Sequence, residues 1–129
     1  MMRTVYAATL ITVGWLGVCA PAQAAGEPAK TAQAMGGQIL TDQKGMTLYT
    51  FDKDAGGKST CNGPCAANWP PLAAAADAKP MGKYTVITRD DGVKQWAYSG
   101  KPLYTWAKDA KPGDTTGDGV NNVWHVAKP

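Results

Sequence analysis

Leu48-Tyr49-Thr50-Phe51-Asp52-Lys53-Asp54-Ala55 returns as Leu103-Tyr104-Thr105-Trp106-Ala107-Lys108-Asp109-Ala110, a constant shift of 55 positions that also carries Gly45 to Gly100, Thr60 to Thr115 and Trp69 to Trp124 without a gap. Aromatic residues, a Lys-Asp pair and a distant Trp matched at one offset mark a duplicated structural unit, whose copies bury their apolar faces against each other. In both octapeptides, alternation with a period of two places the Tyr and the Phe or Trp on one face of a strand and Leu and Thr on the other. One of those faces has to meet a core.

Around these segments, short β-prone runs alternate with Gly, Asp and Pro, and no long apolar stripe of helical period occurs. Strands are expected at 39–41, 47–51, 84–88, 93–98, 103–106 and 123–126. Arg89-Asp90-Asp91-Gly92 and Ser99-Gly100-Lys101 supply hairpin turns. Trp69-Pro70-Pro71-Leu72 closes the first copy, because consecutive prolines cannot donate to a ladder. The reading is all-β: a small antiparallel domain of two tandem pseudo-symmetric repeats, with repeat 1 at 38–72, a linker at 73–82 and repeat 2 at 83–127.

The amino terminus reads as an export signal. Arg3 precedes an apolar run at 5–18, too short for the roughly 20 residues of a transmembrane helix, and Ala22-Gln23-Ala24 offers the small residues of a cleavage site. Residues 1–24 are therefore expected to be a signal peptide. Cys19 would be the acylated residue of a lipoprotein, but Val18 stands where a small residue is required, so release without a lipid anchor is expected. Residues 25–37, rich in Ala, Gly, Lys and Pro, read as a flexible leader, and the domain proper as 38–129. Removing Arg3 lowers the formal charge from +3 to +2, and the lysines lie scattered among aspartates. That pattern lacks the basic stripe of a nucleic-acid binder.

Cleavage leaves Cys61 and Cys65 in an oxidising compartment, with turn-forming Asn62-Gly63-Pro64 between them, so a disulfide is expected. So small a loop removes little chain entropy, about 2 kcal/mol at best. The alternative is a Cu(I) or thiol-redox site, two thiolates with the imidazole of His125. No βαβ pattern supports a thioredoxin-like frame for it, and alternation through Val123-Trp124-His125-Val126 turns His125 towards solvent. Asp114 and Asp118 occupy the first and fifth places of a calcium-type loop with Gly119 at the sixth, but the twelfth place is His125 instead of Glu; an ordinary turn held by Asp side chains is the competing reading.

Tyr49-x-Phe51-x-x-Asp54 and Tyr104-x-Trp106-x-x-Asp109, with Cys61-Asn-Gly-Pro-Cys65-Ala-Ala-Asn-Trp69-Pro-Pro-Leu72 between them, resemble the bacterial secreted-repeat family of predicted lipoproteins with a Yx(FWY)xxD motif. The resemblance spans nearly all of 38–127 and implies an exported β protein of the cell envelope, periplasmic or secreted, with no established reaction. From the residues themselves, each motif Asp is expected to accept loop N–H groups and each Tyr hydroxyl to reach a buried polar partner. A glycosidase-like pairing of Asp54 with Asp109 has no support in spacing. No nucleophile and base pair, phosphate loop or complete metal set occurs. The expectation is a noncatalytic protein without cofactor that contacts an unknown envelope component. Trp69 and Trp124 should be buried, since one Phe and few Ile leave the core dependent on large rings.

Overall fold

The computed structural model describes residues 28–129. The expected signal peptide, Cys19 and the first residues of the expected leader lie outside the described residues.

Alternating apolar and polar residues give short antiparallel strands. β1 (Lys30–Ala34) and β2 (Gly37–Thr41) form a hairpin with Ala32 opposite Ile39. β3 (Tyr49–Phe51) carries the first motif, and α1 (Pro64–Asn68), a single helical turn begun by Pro64, leads into Trp69. β4 (Tyr84–Thr88) and β5 (Lys94–Tyr98) form a second hairpin with Val86 opposite Trp96, and β6 (Lys101–Pro102) joins β5. Ser99 and Gly100, both at positive φ, make the tight β5–β6 turn, whose twist matches that of the strands it joins. A 3-10 turn at Val120–Asn122 precedes β7 (Trp124–Val126).

Each repeat thus runs hairpin, central strand, loop, helical turn, buried Trp and closing strand. The closing strands are exchanged. β7 of repeat 2 pairs with β3 of repeat 1, with Tyr49 opposite Val126 and Phe51 opposite Trp124. Residues 70–72 of repeat 1 run along repeat 2: the Thr105 N–H donates to the Pro70 carbonyl at 2.8 Å and the Leu72 N–H to that of Leu103 at 2.9 Å. On the other side Ala127 N–H to Leu48 O at 2.8 Å matches the Leu72 bond, and Asp52 N–H to Val123 O at 2.8 Å matches Ala107 N–H to Asn68 O at 2.9 Å. Between the halves, Tyr49 and Tyr104 exchange both backbone hydrogen bonds, at 2.8 and 3.0 Å. The pseudo-twofold axis passes between these two residues.

Three expectations change. Residues 30–34, expected in a flexible leader, are strand β1, because Ala32 and Ala34 pack against the core beside Ile39. The strand expected at 103–106 is reduced to bridges of Tyr104 with Tyr49 and Pro71, since one of its neighbours is Pro70-Pro71, which has carbonyls but no N–H groups to offer. Finally, both faces of the motif strands are buried. Ile39, Tyr49, Cys61, Trp69, Tyr104, Trp124 and Val126 form one cluster, and Ala29, Leu40, Leu48, Tyr84, Leu103 and Ala127 the other. A strand covered on both sides buries its Leu as fully as its Tyr.

Candidate functional site: the crossed motifs and the aromatic stack

The two copies of the motif complete each other. The Tyr49 hydroxyl donates to Asp109 Oδ2 at 2.6 Å, and the Tyr104 hydroxyl donates to Asp54 Oδ2 at 2.6 Å. Each carboxylate turns its other oxygen to its own loop: Asp54 Oδ1 accepts the Thr60 N–H at 2.7 Å and hydroxyl at 2.9 Å, and Asp109 Oδ1 accepts the Thr116 N–H at 3.1 Å and hydroxyl at 2.5 Å. Strand pairing fixes each Tyr, and the loop that follows each motif fixes each Asp. Both phenols are held well above the ordinary tyrosine range, first because burial disfavours phenolate and second because the neighbouring carboxylate accepts the phenolic proton. Asp54 and Asp109 are thus each tied to a different tyrosine.

Thr116, not Thr115, takes the role of Thr60. Six positions separate Asp54 from Thr60 and seven separate Asp109 from Thr116, so the second loop holds one extra residue that is lost again before Trp124. Cys61 consequently corresponds to Gly117. The Gly117 N–H donates to the Tyr49 hydroxyl at 3.2 Å, and a Cβ there would lie 2.8 Å from Trp69. Only glycine lets those two rings close over the loop.

The Tyr104 side carries additional polar residues. Arg89 is buried and its guanidinium donates to the Ser59 hydroxyl and Gln95 Oε1, both at 2.8 Å, and to the Cys61 carbonyl. Ser59 lies 2.6 Å from the Tyr104 hydroxyl. Arginine can only donate and Tyr104 gives its proton to Asp54, so Ser59 must donate to Tyr104. A directed chain, Arg89 to Ser59 to Tyr104 to Asp54, connects a buried cation to a carboxylate without direct contact. Sequence reasoning missed Arg89, Ser59 and Gln95, because nothing local distinguishes this arginine from any other in a turn.

Beside these braces stand four stacked rings. Centroids of Phe51 and Trp124 are 4.2 Å apart, those of Trp124 and Trp69 3.8 Å, and those of Trp69 and Trp106 3.9 Å. Tyr49 meets Trp69 edge-on at 5.3 Å and Tyr104 meets Trp124 edge-on at 5.1 Å. Phe51 and Trp106, equivalent motif positions, form the two ends, and the buried pair Trp69 and Trp124 the centre. Pairs of this kind contribute about 0.5–1.5 kcal/mol each beyond their area. A groove of about 420 Å³ follows one side of the stack, lined by Phe51, Lys53, Asn68, Asn121 and the edges of Trp69 and Trp124. It offers apolar edges, two amides and one ammonium group.

Cys61 and Cys65 form a disulfide with Cα atoms 5.2 Å apart. His125 projects outward from β7 and lies 2.7 Å from Asp52. Among the described residues no group of three His, Cys, Asp or Glu side chains is placed to hold a metal, so Cys61, Cys65 and His125 are not brought together as a ligand set. Asp114 accepts the N–H groups of Ala110 and Lys111, and Asp118 Oδ1 accepts that of Val126 at 3.0 Å. Among the described residues no helix is long and apolar enough to cross a membrane.

No curated protein and no solved structure matches the chain. A family model described as a secreted repeat of unknown function matches twice, at residues 30–73 and 85–128, the same two hairpin-to-closing-strand units seen in the fold. The chain therefore belongs to the family of secreted repeats of unknown function.

Proposed function

We propose that this exported protein is a noncatalytic module of the cell envelope, periplasmic or secreted, which binds another envelope component through its outward-facing grooves and loops. One observation carries the reading: both Tyr–Asp pairs are engaged in bracing one repeat against the other. A general acid or nucleophile has to keep a proton or lone pair directed at substrate, and Asp54 and Asp109 have theirs directed at Tyr and Thr. The grooves, by contrast, face outward. A Cu(I) or thiol-redox role for Cys61, Cys65 and His125 would require the disulfide to open and the imidazole to approach it, and nothing in the arrangement favours this.

The test is titration of the labelled mature protein onto isolated envelope fragments. Saturable binding is expected, unchanged by Tyr49→Phe at temperatures where the variant is folded. Turnover of an envelope substrate that is abolished by Asp54→Asn or Asp109→Asn in folded protein would contradict the reading. Two titratable thiols with stoichiometric Cu(I) uptake in the native protein would do the same.

A further inference from the structure

Resting on the binding role above, we infer that a second groove takes a phosphoryl group of an anionic envelope component. Along β3, Thr50 and Asp52 point away from Phe51 and Lys53, and on that opposite side lies a depression of about 420 Å³. Its lining brings together Lys83, Lys101, Lys128 and His125, with the hydroxyl-bearing Tyr98 and Ser99. The sequence disperses these groups. Lys83 precedes β4, Lys101 lies in β6 and Lys128 follows β7, and only the exchange of closing strands carries Lys128 to the edge where the β5–β6 turn stands.

The cluster is not neutralised from within. Among the described residues the ion pairs are Lys58 with Asp90, Arg89 with Asp91, and His125 with Asp52. None involves Lys83, Lys101 or Lys128. Lys83 Nζ lies 5.9 Å from the Tyr98 ring centroid, a contact with no negative charge. Asp52, the acidic side chain of the lining, is held by His125 at 2.7 Å. Three like charges around a concavity repel one another and focus a positive potential into it. An anion in the groove removes that repulsion.

The donor set selects among anions. Lysines drawn from three separate segments, with the hydroxyl-bearing Tyr98 and Ser99 in the same lining, suit a tetrahedral phosphoryl group contacted from several directions. A planar carboxylate is better matched by the bidentate fork of arginine, which is absent from the lining. The volume lies within the range of about 300–1,000 Å³ of small-molecule sites, which leaves room for the group that carries the phosphate.

The experiment is cosedimentation of the mature protein with phosphatidylcholine vesicles with and without phosphatidylglycerol, alongside titration with glycerol phosphate and with acetate followed by NMR. Binding to the phosphatidylglycerol vesicles, or glycerol phosphate shifts confined to the groove, is expected; the first assigns the phosphate to a lipid headgroup and the second to a soluble ester. Each basic side chain near an anionic surface contributes roughly fivefold, so K83Q/K101Q/K128Q should weaken binding roughly a hundredfold, while K44Q/K79Q/K111Q, with the same change of charge, leaves it nearly unaltered. Equal losses in the two triple variants, acetate shifts as strong as those from glycerol phosphate, or no binding to either phosphate form would overturn the inference. Envelope binding that survives K83Q/K101Q/K128Q would sink the phosphoryl site alone; wild-type protein that ignores envelope fragments would sink the binding role itself.

Discussion

Replacing Tyr49 or Tyr104 by Phe removes one oxygen and leaves the ring in place, so it isolates the bond that ties each repeat to the other. A buried hydrogen bond to a carboxylate contributes about 1.5–3 kcal/mol. Tyr49→Phe also leaves the Gly117 N–H without its acceptor, while Asp109 keeps both bonds from Thr116. Each single variant should therefore be about 2 kcal/mol less stable at pH 8, with Tm lower by roughly 8–16 °C for a domain of this size. The alkaline limb is the more specific test. Both phenols titrate above the ordinary value when folded, so their stabilisation is complete below the unfolded pKa of about 10 and is lost as pH rises beyond it. Above that pH each unfolded tyrosine has released a proton that the folded one retains, at about 1.4 kcal/mol per pH unit. Between pH 9 and pH 11 the pair should remove roughly 3 kcal/mol from the wild type and about half as much from either single variant. Urea unfolding followed by tryptophan fluorescence across that range measures it. Alkaline losses identical in wild type and variants, or a cost below about 0.5 kcal/mol at pH 8, would refute the crossed hydrogen bonds.

Gly117→Ala should cost about 1–3 kcal/mol through overpacking, because its Cβ would fall 2.8 Å from Trp69 and 3.0 Å from Tyr49; Gly37→Ala, with nothing within 4 Å, is the near-neutral control in the same thermal melt. Reducing Cys61–Cys65 should lower stability by about 2 kcal/mol at most and leave the far-ultraviolet circular dichroism spectrum unchanged at room temperature, since Arg89 still holds the Cys61 carbonyl and the Cys65 N–H still donates to the Asn62 carbonyl. His125→Ala should shift stability by less than about 1 kcal/mol, because both it and Asp52 are solvent-exposed; a larger loss in urea melts would mean that the pair supports β7.

The duplication was legible because matched aromatics at one offset are a local, countable signal. Burial of Trp69 and Trp124, the β4–β5 turn and the outward His125 followed from alternation and from the scarcity of other large apolar residues. β1 was hidden by its composition, Lys-Thr-Ala-Gln-Ala, which carries no large apolar residue; the offset of 55 applied backwards from 85–88 would have pointed to 30–33, because the hairpin is duplicated with the rest. The one-residue slip between Thr115 and Thr116 was invisible because Trp124 restores the register. Exchange of closing strands left no mark, since a strand sequence states which face it buries and not which neighbour it pairs with. The crossing of Tyr49 to Asp109 and the gathering of Lys83, Lys101 and Lys128 both depend on that pairing, and so lay beyond reach of local pattern.

The claim under all of this is that each repeat is completed by pieces of the other. Expressing residues 28–76 and 77–129 as separate chains tests it most directly, with the cut at the exposed Ala76 and Asp77. Neither fragment alone should give a dispersed NMR spectrum or a cooperative melt, and mixing them should restore both in a one-to-one complex. A single fragment that folds cooperatively by itself would contradict the exchange.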